Sequence, residues 1–302
     1  MAPEYRVREM NLGLGDIFLY FQCPACGCLQ IAELPADLSR YYPPEYYSFT
    51  RDPAARRGTR KALRKIRDRY AFTGRGLLGK MLAERYPYRF EGVREWLAIG
   101  GLTRESRILD VGCGRGELLY DMAERGYTCL TGVDPFLAED IEYPGGPRIF
   151  SKTIHELEGS FDLIMFHHSL EHIPDQQETL RSAARLLVRG GHCLVRIPVS
   201  SSFAWELYRE SWVQLDAPRH LFLHSRRSIV RLAETAGLKL ARIQDDSTEF
   251  QFTGSELYRR GIPLSAARES FARGELARFR RQARKLNAQG RGDQAAFYFT
   301  RS

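Results

Sequence analysis

The stretch Ile108-Leu109-Asp110-Val111-Gly112-Cys113-Gly114-Arg115-Gly116-Glu117-Leu118 decides the fold of this chain. It begins as a short apolar segment, continues with a glycine at every second position from 112 to 116, and ends at the start of an expected helix. Glycine lacks a Cβ, so the backbone of such a turn can approach a ligand closely at the helix N-terminus. A strand, a glycine turn and a helix in direct succession predict a parallel α/β unit with a ligand site at the turn.

The glycine spacing disfavours a dinucleotide as that ligand. The fingerprint G-x-G-x-x-G needs glycine at its sixth position, which is Glu117 when the count starts at Gly112. A carboxylate there would face the pyrophosphate of NAD. We therefore expect a ligand without phosphate.

The pattern hydrophobic-hydrophobic-D-x-G-x-G-x-G resembles the one in class I S-adenosylmethionine (SAM) methyltransferases, and the resemblance runs from about residue 91 to the C-terminus. It implies SAM as the cofactor and S-adenosylhomocysteine as its product. The N–H groups of the turn would donate to the methionine carboxylate, and Asp110 would face the ammonium. The implied cofactor contacts in the turn are Gly112, Cys113 and Gly114.

A second short apolar strand ends at Asp134, which is followed by Pro135. At the end of the second strand of a βαβ unit, an acid can accept hydrogen bonds from both ribose hydroxyls of the cofactor. The predicted helix Glu117–Arg125, closed by Gly126, has the length of the crossover. We assign Asp134 and Pro135 to the cofactor loop.

Two later segments complete the predicted cofactor site. A third strand is expected to end near residues 152–154, and the resemblance places Thr153 and Ile154 near the adenine. The fourth strand, 161–166, leads into a Leu-Glu-His-hydrophobic-Pro-Asp stretch similar to that of ubiquinone-pathway O-methyltransferases. The similarity makes His167 and His168 walls of the cofactor pocket, while Glu171 and His172 would cap or pack the next helix.

The histidines in this segment do not predict a metal site. His168 and His172 have the i, i+4 spacing of zinc-protease helices, but that motif is H-E-x-x-H and the residues between them here are Ser-Leu-Glu. No third ligand is evident in the sequence. We expect no metal at this site.

The remaining elements complete the fold class. Helices are predicted at 176–188, 226–236 and 265–289, and strands at 192–198, 239–245 and 292–299. The predicted fold is α/β, with a Rossmann-like, seven-stranded class I methyltransferase sheet, a small N-terminal module and a basic helical connector.

We divide the chain into a module at 1–50, a connector at 51–90 and a methyltransferase domain at 91–302. The module contains Cys23-Pro24-Ala25-Cys26, a zinc-knuckle turn that lacks the second CxxC pair needed for a tetrahedral site. With the following Asp37–Tyr47 pattern it resembles a zinc ribbon that has lost its first knuckle. We expect little or no zinc; the alternative to a degenerate zinc ribbon is a metal-free β-hairpin.

The connector is strongly basic, and the chain carries a net charge of +8. A basic amphipathic helix can contact phosphate-bearing substrates, nucleic acid or an anionic membrane surface, but a solvated helix over the cofactor entrance is the favoured interpretation. The basic residues are Arg51, Arg56, Arg57, Arg60, Lys61, Arg64, Lys65, Arg67 and Arg69.

The segment after the fifth strand should hold the methyl acceptor, because loops at the carboxyl ends of parallel strands form the ligand crevice. It resembles a block of sugar- and glycan-pathway methyltransferases in which an acid–histidine pair precedes L-x-x-F-S. Here Arg219 replaces the acid, which counts against carbon methylation, and His220 matches the histidine. An imidazole with an ordinary pKa of about 6.5 can accept a proton near neutral pH, and Arg219 would favour the neutral form. We predict His220 as the base, with His224 as the alternative.

The sequence thus predicts SAM-dependent methyl transfer to a small molecule, a sugar or glycan precursor, at oxygen or carbon. One alternative is an RNA methyltransferase, although the chain lacks the [DNS]-P-P-[FY] turn and the Pro-Cys pair of nucleic-acid enzymes. The other is a non-catalytic SAM-binding scaffold. The acceptor could carry a phosphate or nucleotide, held by Arg219.

The length and composition of the chain indicate the size of its core and the compartment in which we expect it. The 302 residues, 43% of them hydrophobic, can bury one substantial core. The chain has neither an 18-residue apolar run nor a signal-peptide pattern at its first residues, and its six cysteines are scattered. We expect a cytoplasmic protein without a membrane span.

Overall fold

The computed structural model describes residues 2–43, 53, 60–86, 97–98, 101–268 and 271–302. The strands are β1 (Glu4–Arg8), β2 (Ile17–Gln22), β3 (Leu29–Ile31), β4 (Ile108–Val111), β5 (Leu130–Val133), β6 (Ile141–Glu142), β7 (Arg148–Phe150), β8 (Phe161–His167), β9 (Leu187–Pro198), β10 (Phe222–Leu223), β11 (Leu238–Asp245) and β12 (Gln294–Arg301). The helices are α1 (Arg60–Thr73), α2 (Leu77–Arg85), α3 (Glu117–Ala123), α4 (Gln176–Leu186), α5 (Phe203–Tyr208), α6 (Arg226–Thr235), α7 (Phe250–Arg259) and α8 (Arg273–Ala288).

Residue contacts group the chain into two compact units. Unit 1 comprises Met1–Pro43, His168–Arg181 and Val195–Phe299, and unit 2 comprises Pro44–His167, Ser182–Leu194 and Thr300–Ser302. These are units of packing and not of function. The division into domains at residues 50 and 90 therefore stays a prediction.

Unit 2 is built on a mixed sheet whose strands follow the order β9-β8-β4-β5-β7-β6. Strand β4 pairs in parallel with β5 and β8, and β5 pairs in parallel with β7. All four residues of β4 are buried, as expected for a central parallel strand covered on both faces. This arrangement confirms an α/β, Rossmann-like fold.

Three details of this sheet differ from the sequence prediction. The third strand, β7, ends at Phe150 because Thr153 already begins a short 3₁₀ turn at Ile154–Glu156. Strand β6 pairs antiparallel with β7 and was not predicted. With β11 and β12, which continue the strand order beyond β9, the described residues form eight strands rather than the predicted seven. Strand β9 begins at Leu187 rather than at residue 192, which ends the preceding helix at Leu186.

Unit 1 contains a four-stranded antiparallel sheet in the order β1-β2-β3-β10. Its inner face packs against aromatic residues of later segments, including Trp205 and Trp212, in one core cluster. The unit also holds the neighbouring strands β11, β12 and β9, of which β9 contributes residues 195–198. The N-terminal sheet is therefore completed by β10, from the second half of the chain.

A helical hairpin, α1 and α2, covers most of the described part of the predicted connector. Arg51, Arg56 and Arg57 lie outside the described residues, as do the side chains of Arg60 and Lys61. Within the described ranges, no helix combines the length and the apolar composition needed to span a bilayer.

Candidate functional site

The glycine turn after β4 adopts a backbone conformation that favours glycine. Gly112, Gly114 and Gly116 have positive φ angles of 74°, 54° and 73°. A Cβ at Gly116 would also lie 2.6 Å from the Cδ1 atom of Ile149, closer than real contacts allow. A side chain is thus excluded there by both conformation and space.

The amides of this turn already donate within the protein. The N–H groups of Gly112 and Cys113 donate to the Val133 carbonyl, at 2.8 and 3.3 Å, and the Gly116 N–H donates to the Cys113 carbonyl at 3.0 Å. The expected contact of this turn with the methionine carboxylate of SAM stays a prediction.

Asp110 lies buried at the end of β4 and is the best fit to a cationic ligand. Among the described residues, none hydrogen-bonds its Oδ1 atom. Burial raises the pKa of Asp110 to about 8, and the charge of Asp134 adds to the rise. A positive group bound beside it, such as the ammonium of SAM, would favour its ionised form.

Asp134 directly follows β5, and its carboxylate accepts hydrogen bonds from two loops, the turn after β4 and the loop after β5. Its Oδ2 atom accepts from the Gly114 N–H at 2.9 Å, and its Oδ1 atom accepts from the Phe136 N–H at 3.0 Å. Each carboxylate oxygen has a second lone pair that could accept from a ribose hydroxyl. Pro135 is exposed beside it.

The other predicted cofactor residues of unit 2 have varied surroundings. Thr153 is engaged by Glu156, whose Oε2 atom accepts from both the backbone N–H and the hydroxyl of Thr153, at 2.8 and 2.7 Å. Ile154 is buried, and His167 is the half-buried last residue of β8. Their roles at the cofactor stay a prediction.

His168 lies in unit 1 and belongs to a network of buried polar groups. Its Nε2 atom is 2.8 Å from Nη1 of Arg196, which can only donate, so the proton of the neutral ring is on Nδ1. That nitrogen lies 3.3 Å from Oε1 of Glu171. The hydrogen bond from Nδ1 of His168 therefore orients the Glu171 carboxylate. The backbone of His168 is left-handed, with a φ of 50°.

Glu171 is fully buried in the 3₁₀ helix Leu170–His172 and is ionised. Burial alone would raise its pKa, but the hydrogen bond from His168 and the histidines around it lower the pKa to about 2. His172 is next to it, with Nδ1 2.9 Å from the Arg219 carbonyl and 3.0 Å from the Tyr42 hydroxyl. Burial, and then the charge of His220, lowers the pKa of His172 to about 4.

His220 is the predicted base, and one of its ring nitrogens is left to accept a proton. Its Nδ1 atom donates to the Gln214 carbonyl at 2.7 Å, which leaves the lone pair on Nε2. The Nε2 atom lies 3.6 Å from Oδ2 of Asp216. The hydroxyl of Tyr20 donates to the His220 carbonyl at 2.8 Å and holds the loop.

Asp216, which was not predicted as a site residue, contacts both Arg219 and His220. Its carboxylate accepts two hydrogen bonds from Nη2 of Arg219, at 2.5 and 2.6 Å. Burial would raise the pKa of Asp216, but Arg219 and His220 lower it. The acid missing before His220 is thus supplied four residues upstream, and Arg219 is paired with it. A search at i−4 as well as i−1 would have found it.

His224, the alternative base, is bonded at both ring nitrogens. Nδ1 lies 2.9 Å from the Ser228 hydroxyl, and Nε2 lies 2.6 Å from Oε1 of Gln176. Burial lowers its pKa to about 4. His220 therefore fits the base role better than His224.

Glu171, His172 and His220 could also hold a metal ion, since one ligand atom from each lies within 4.8 Å of the others. This group differs from the pair His168 and His172 that the sequence spacing suggested, because its members come from two distant segments. A metal on His220 would occupy the lone pair that a base needs.

The strand order, the glycine turn, Asp110 in β4 and Asp134 after β5 define a Rossmann-like α/β protein with a site for a cationic, ribose-bearing cofactor. A family model described as "Methyltransferase domain" matches residues 81–243. The chain belongs to this family of methyltransferase domains. The predicted class I, SAM-dependent methyltransferase domain is confirmed.

Two curated relatives are ubiquinone biosynthesis O-methyltransferases. The protein of Alkalilimnicola ehrlichii is 36% identical over 140 residues, covering 41% of this chain and 55% of the relative. That of Bordetella avium is 33% identical over 137 residues, covering 39% and 54%. The match thus spans about half the length of these relatives.

Solved structures with a similar fold include geranyl diphosphate methyltransferase in complex with SAM, at 15% identity and a TM-score of 0.48, covering 78% of this chain and 95% of that one. Another is magnesium protoporphyrin IX methyltransferase of Synechocystis with bound S-adenosylhomocysteine, at 16% identity and a TM-score of 0.44, covering 80% and 95%.

Proposed function

We propose that this protein transfers a methyl group from SAM to a hydroxyl of a small molecule, a sugar or glycan precursor. The observation that carries the SAM-binding part of this proposal is Asp110. It is a buried carboxyl group beside the glycine turn, in the strand that pairs with the one preceding Asp134. The similarity to O-methyltransferases supports oxygen as the acceptor atom. The sugar rests on the sequence block around His220.

In this proposal the chain's own residues position the cofactor and manage one proton. Bound SAM supplies an electrophilic methyl group on a sulfonium. Asp134 accepts from the ribose, and Asp110 balances the ammonium. His220 takes the acceptor's hydroxyl proton on Nε2, while the Gln214 carbonyl fixes its tautomer. The carboxylates of Asp216 and Glu171 stabilise the imidazolium that forms.

The cofactor half is tested by calorimetry of SAM binding to Asp134→Ala. Loss of two charge-assisted hydrogen bonds should weaken SAM by about 2–4 kcal/mol. The matched control is Asp140→Ala, because Asp140 also accepts a backbone N–H, that of Ser151 at 2.7 Å. The control should keep its SAM affinity, and both variants should keep the wild-type circular dichroism spectrum. Equal SAM affinity in Asp134→Ala and the wild type would refute the ribose role.

The acceptor half is tested by methyl transfer from radiolabelled SAM to a panel of nucleotide-linked sugars, free sugars and catechols. Label on a sugar hydroxyl supports the proposal. Label only on a catechol would shift the acceptor class, and SAM binding without transfer to any acceptor would favour a scaffold.

A further inference from the structure

The hairpin α1–α2 carries a surface that neither SAM binding nor proton transfer uses. One face of α1 is fixed within unit 2 by Lys65, Asp68 and Phe72, at i, i+3 and i+7 spacing. Lys65 pairs with Glu124 at 3.3 Å, Asp68 pairs with Arg125 at 3.7 Å, and the Arg125 guanidinium lies 4.8 Å from the Phe72 ring centre.

Helix α2 packs against a second face of α1 at Gly79. A Cβ at Gly79 would be 2.7 Å from the Ile66 carbonyl oxygen and 2.7 Å from the Tyr70 Cβ, so the two helices cross there in close contact. This contact commits one side of α2 to α1. The other side of α2 is left to solvent.

That outer side of α2 is apolar, which is unusual for a solvated helix. Leu77, Leu78 and Met81 are 83%, 53% and 66% exposed, and Tyr86, which follows the helix, is 58% exposed. Leu77 and Met81 are one turn apart, with Leu78 beside them. Clustered aliphatic residues at this exposure mark an interaction surface.

The charges around this apolar side are mostly positive. In the described part of the hairpin, residues 60–86, the exposed cations apart from Lys65 are Arg64, Arg69, Arg75, Lys80 and Arg85, against one exposed acid, Glu84. Arg75 lies in the loop that precedes Leu77, and the Arg85 guanidinium lies 5.0 Å from the ring centre of Tyr86. The surface therefore combines aliphatic side chains with a ring of cations.

We propose that this hairpin tip docks on an anionic lipid bilayer, with Leu77, Leu78 and Met81 in the acyl boundary and Arg75, Lys80 and Arg85 at the headgroups. Apolar insertion and attraction to anionic lipid act together in interfacial helices. A second copy of the chain fits less well, because the same cations would face each other. RNA would use the cations but gains no base stacking from leucine or methionine.

The test is sedimentation of the full chain with vesicles of phosphatidylcholine, with and without one quarter phosphatidylglycerol. We expect at least tenfold tighter binding to the anionic vesicles, weakened severalfold in 0.5 M NaCl. The double variant Leu77→Ser/Met81→Ser should bind them at least tenfold more weakly. The matched control is Leu14→Ser/Leu34→Ser, two leucines that are 41% and 48% exposed in unit 1, and it should bind within twofold of the wild type.

A charge variant, Lys80→Glu/Arg85→Glu, changes only exposed side chains and keeps the test valid if the serine variant misfolds. It should also lose at least tenfold, and all folded variants should bind SAM like the wild type. Failure of the wild type to bind anionic vesicles overturns the proposal. The proposal is also overturned if the serine variant and its control lose vesicle binding equally. It is overturned as well if the wild type binds a single-stranded RNA more tightly than the vesicles and Leu77→Ser/Met81→Ser leaves that RNA binding unchanged.

Discussion

At the residue scale, the proposed chemistry depends on which nitrogen of His220 carries the proton. The Gln214 carbonyl holds the proton on Nδ1, so Nε2 can accept one. Once protonated, the ring faces two ionised carboxylates, Asp216 and Glu171. Arg219, which precedes His220, donates two hydrogen bonds to the carboxylate of Asp216.

We expect His220→Asn to lower kcat by about 10²–10⁴-fold with SAM affinity nearly unchanged. Asp216→Asn should lower kcat less, because the base remains but its imidazolium loses a carboxylate partner. His155→Asn is the control: this histidine lies in unit 2 and bonds to the Ser182 hydroxyl at 2.9 Å, away from the network. Single-turnover rates with an identified acceptor measure the effect. Turnover of His220→Asn within a few-fold of wild type would make His220 structural.

The sequence identified the residues at strand ends better than those in loops. Asp110, the glycines and Asp134 were predicted from short apolar runs that lead into a glycine turn or an acid, because parallel strands bring their carboxyl ends to one edge of the sheet. Asp216 and Glu171 were missed or misjudged because their partners are set by loop geometry. Asp216 has left-handed dihedrals, with a φ of 39°, which no spacing rule predicts.

At the scale of elements, α1 and α2 can cross in close contact because Gly79 has no side chain. We expect Gly79→Ala to loosen the hairpin, because its Cβ would overlap the Ile66 carbonyl and this clash outweighs the gain in helix propensity of about 1 kcal/mol. Limited proteolysis between residues 60 and 86 should become several times faster.

Gly274→Ala is the control for that experiment. Gly274 is also helical, lies in α8, and a Cβ there would meet no atom within 4 Å. This variant should be as resistant as the wild type or slightly more so. Equal proteolysis of Gly79→Ala and the wild type would show that the helices can separate without cost.

The turn between β2 and β3 contains the Cys23-Pro24-Ala25-Cys26 segment that predicts a zinc knuckle. The Gly27 N–H donates to the Cys23 carbonyl at 2.7 Å, and Gly27 has a φ of 76°. Because only Cys23, Cys26 and the badly spaced Cys28 are available in this turn, elemental analysis should find clearly less than one zinc per chain. Dialysis against a chelator should leave turnover unchanged. One zinc per chain that is lost in Cys23→Ser/Cys26→Ser would contradict this and indicate a site shared by two chains.

Short and non-local strands account for most errors in the predicted elements. Strand β6 has two residues, too few for an alternating pattern to register. Strand β10 is equally short and owes its conformation to pairing with β3, far away in sequence. Of the longer elements, α4 and β11 were predicted to within two residues at each end. The helix predicted at 265–289 begins only at Arg273, because Leu264–Ala266 form a separate 3₁₀ helix.

At the scale of the whole molecule, the burial of Asp110 makes stability depend on pH. With a folded pKa of about 8, Asp110 keeps its proton at pH 7, whereas the unfolded chain, with an ordinary pKa near 4, has released it. The folded state therefore binds more protons between these values, and stability falls as pH rises through this window. From pH 6 to pH 8 this one group should cost about 2 kcal/mol.

We expect the melting temperature of the wild type to fall between pH 6 and pH 8 by roughly 5 °C more than the melting temperature of Asp110→Asn falls. Scanning calorimetry at both pH values measures the difference. Asp162→Asn, which changes a partly exposed acid that accepts from the Arg107 N–H, should retain the wild-type pH dependence. Parallel pH curves for the wild type and Asp110→Asn would mean that Asp110 is ionised in the folded protein.

The pairing of β3 with β10 has a consequence for how the chain folds during synthesis. Gln30 leaves the ribosome well before its partner Phe222, because 192 residues of the chain separate them. At about 5–20 residues per second, this delay is roughly ten to forty seconds. Throughout that time the β3 edge of the N-terminal sheet is not yet paired with β10. An unpaired strand edge is a site where nascent chains can aggregate. Slow translation or chaperone shortage should therefore harm this protein through its first thirty-one residues.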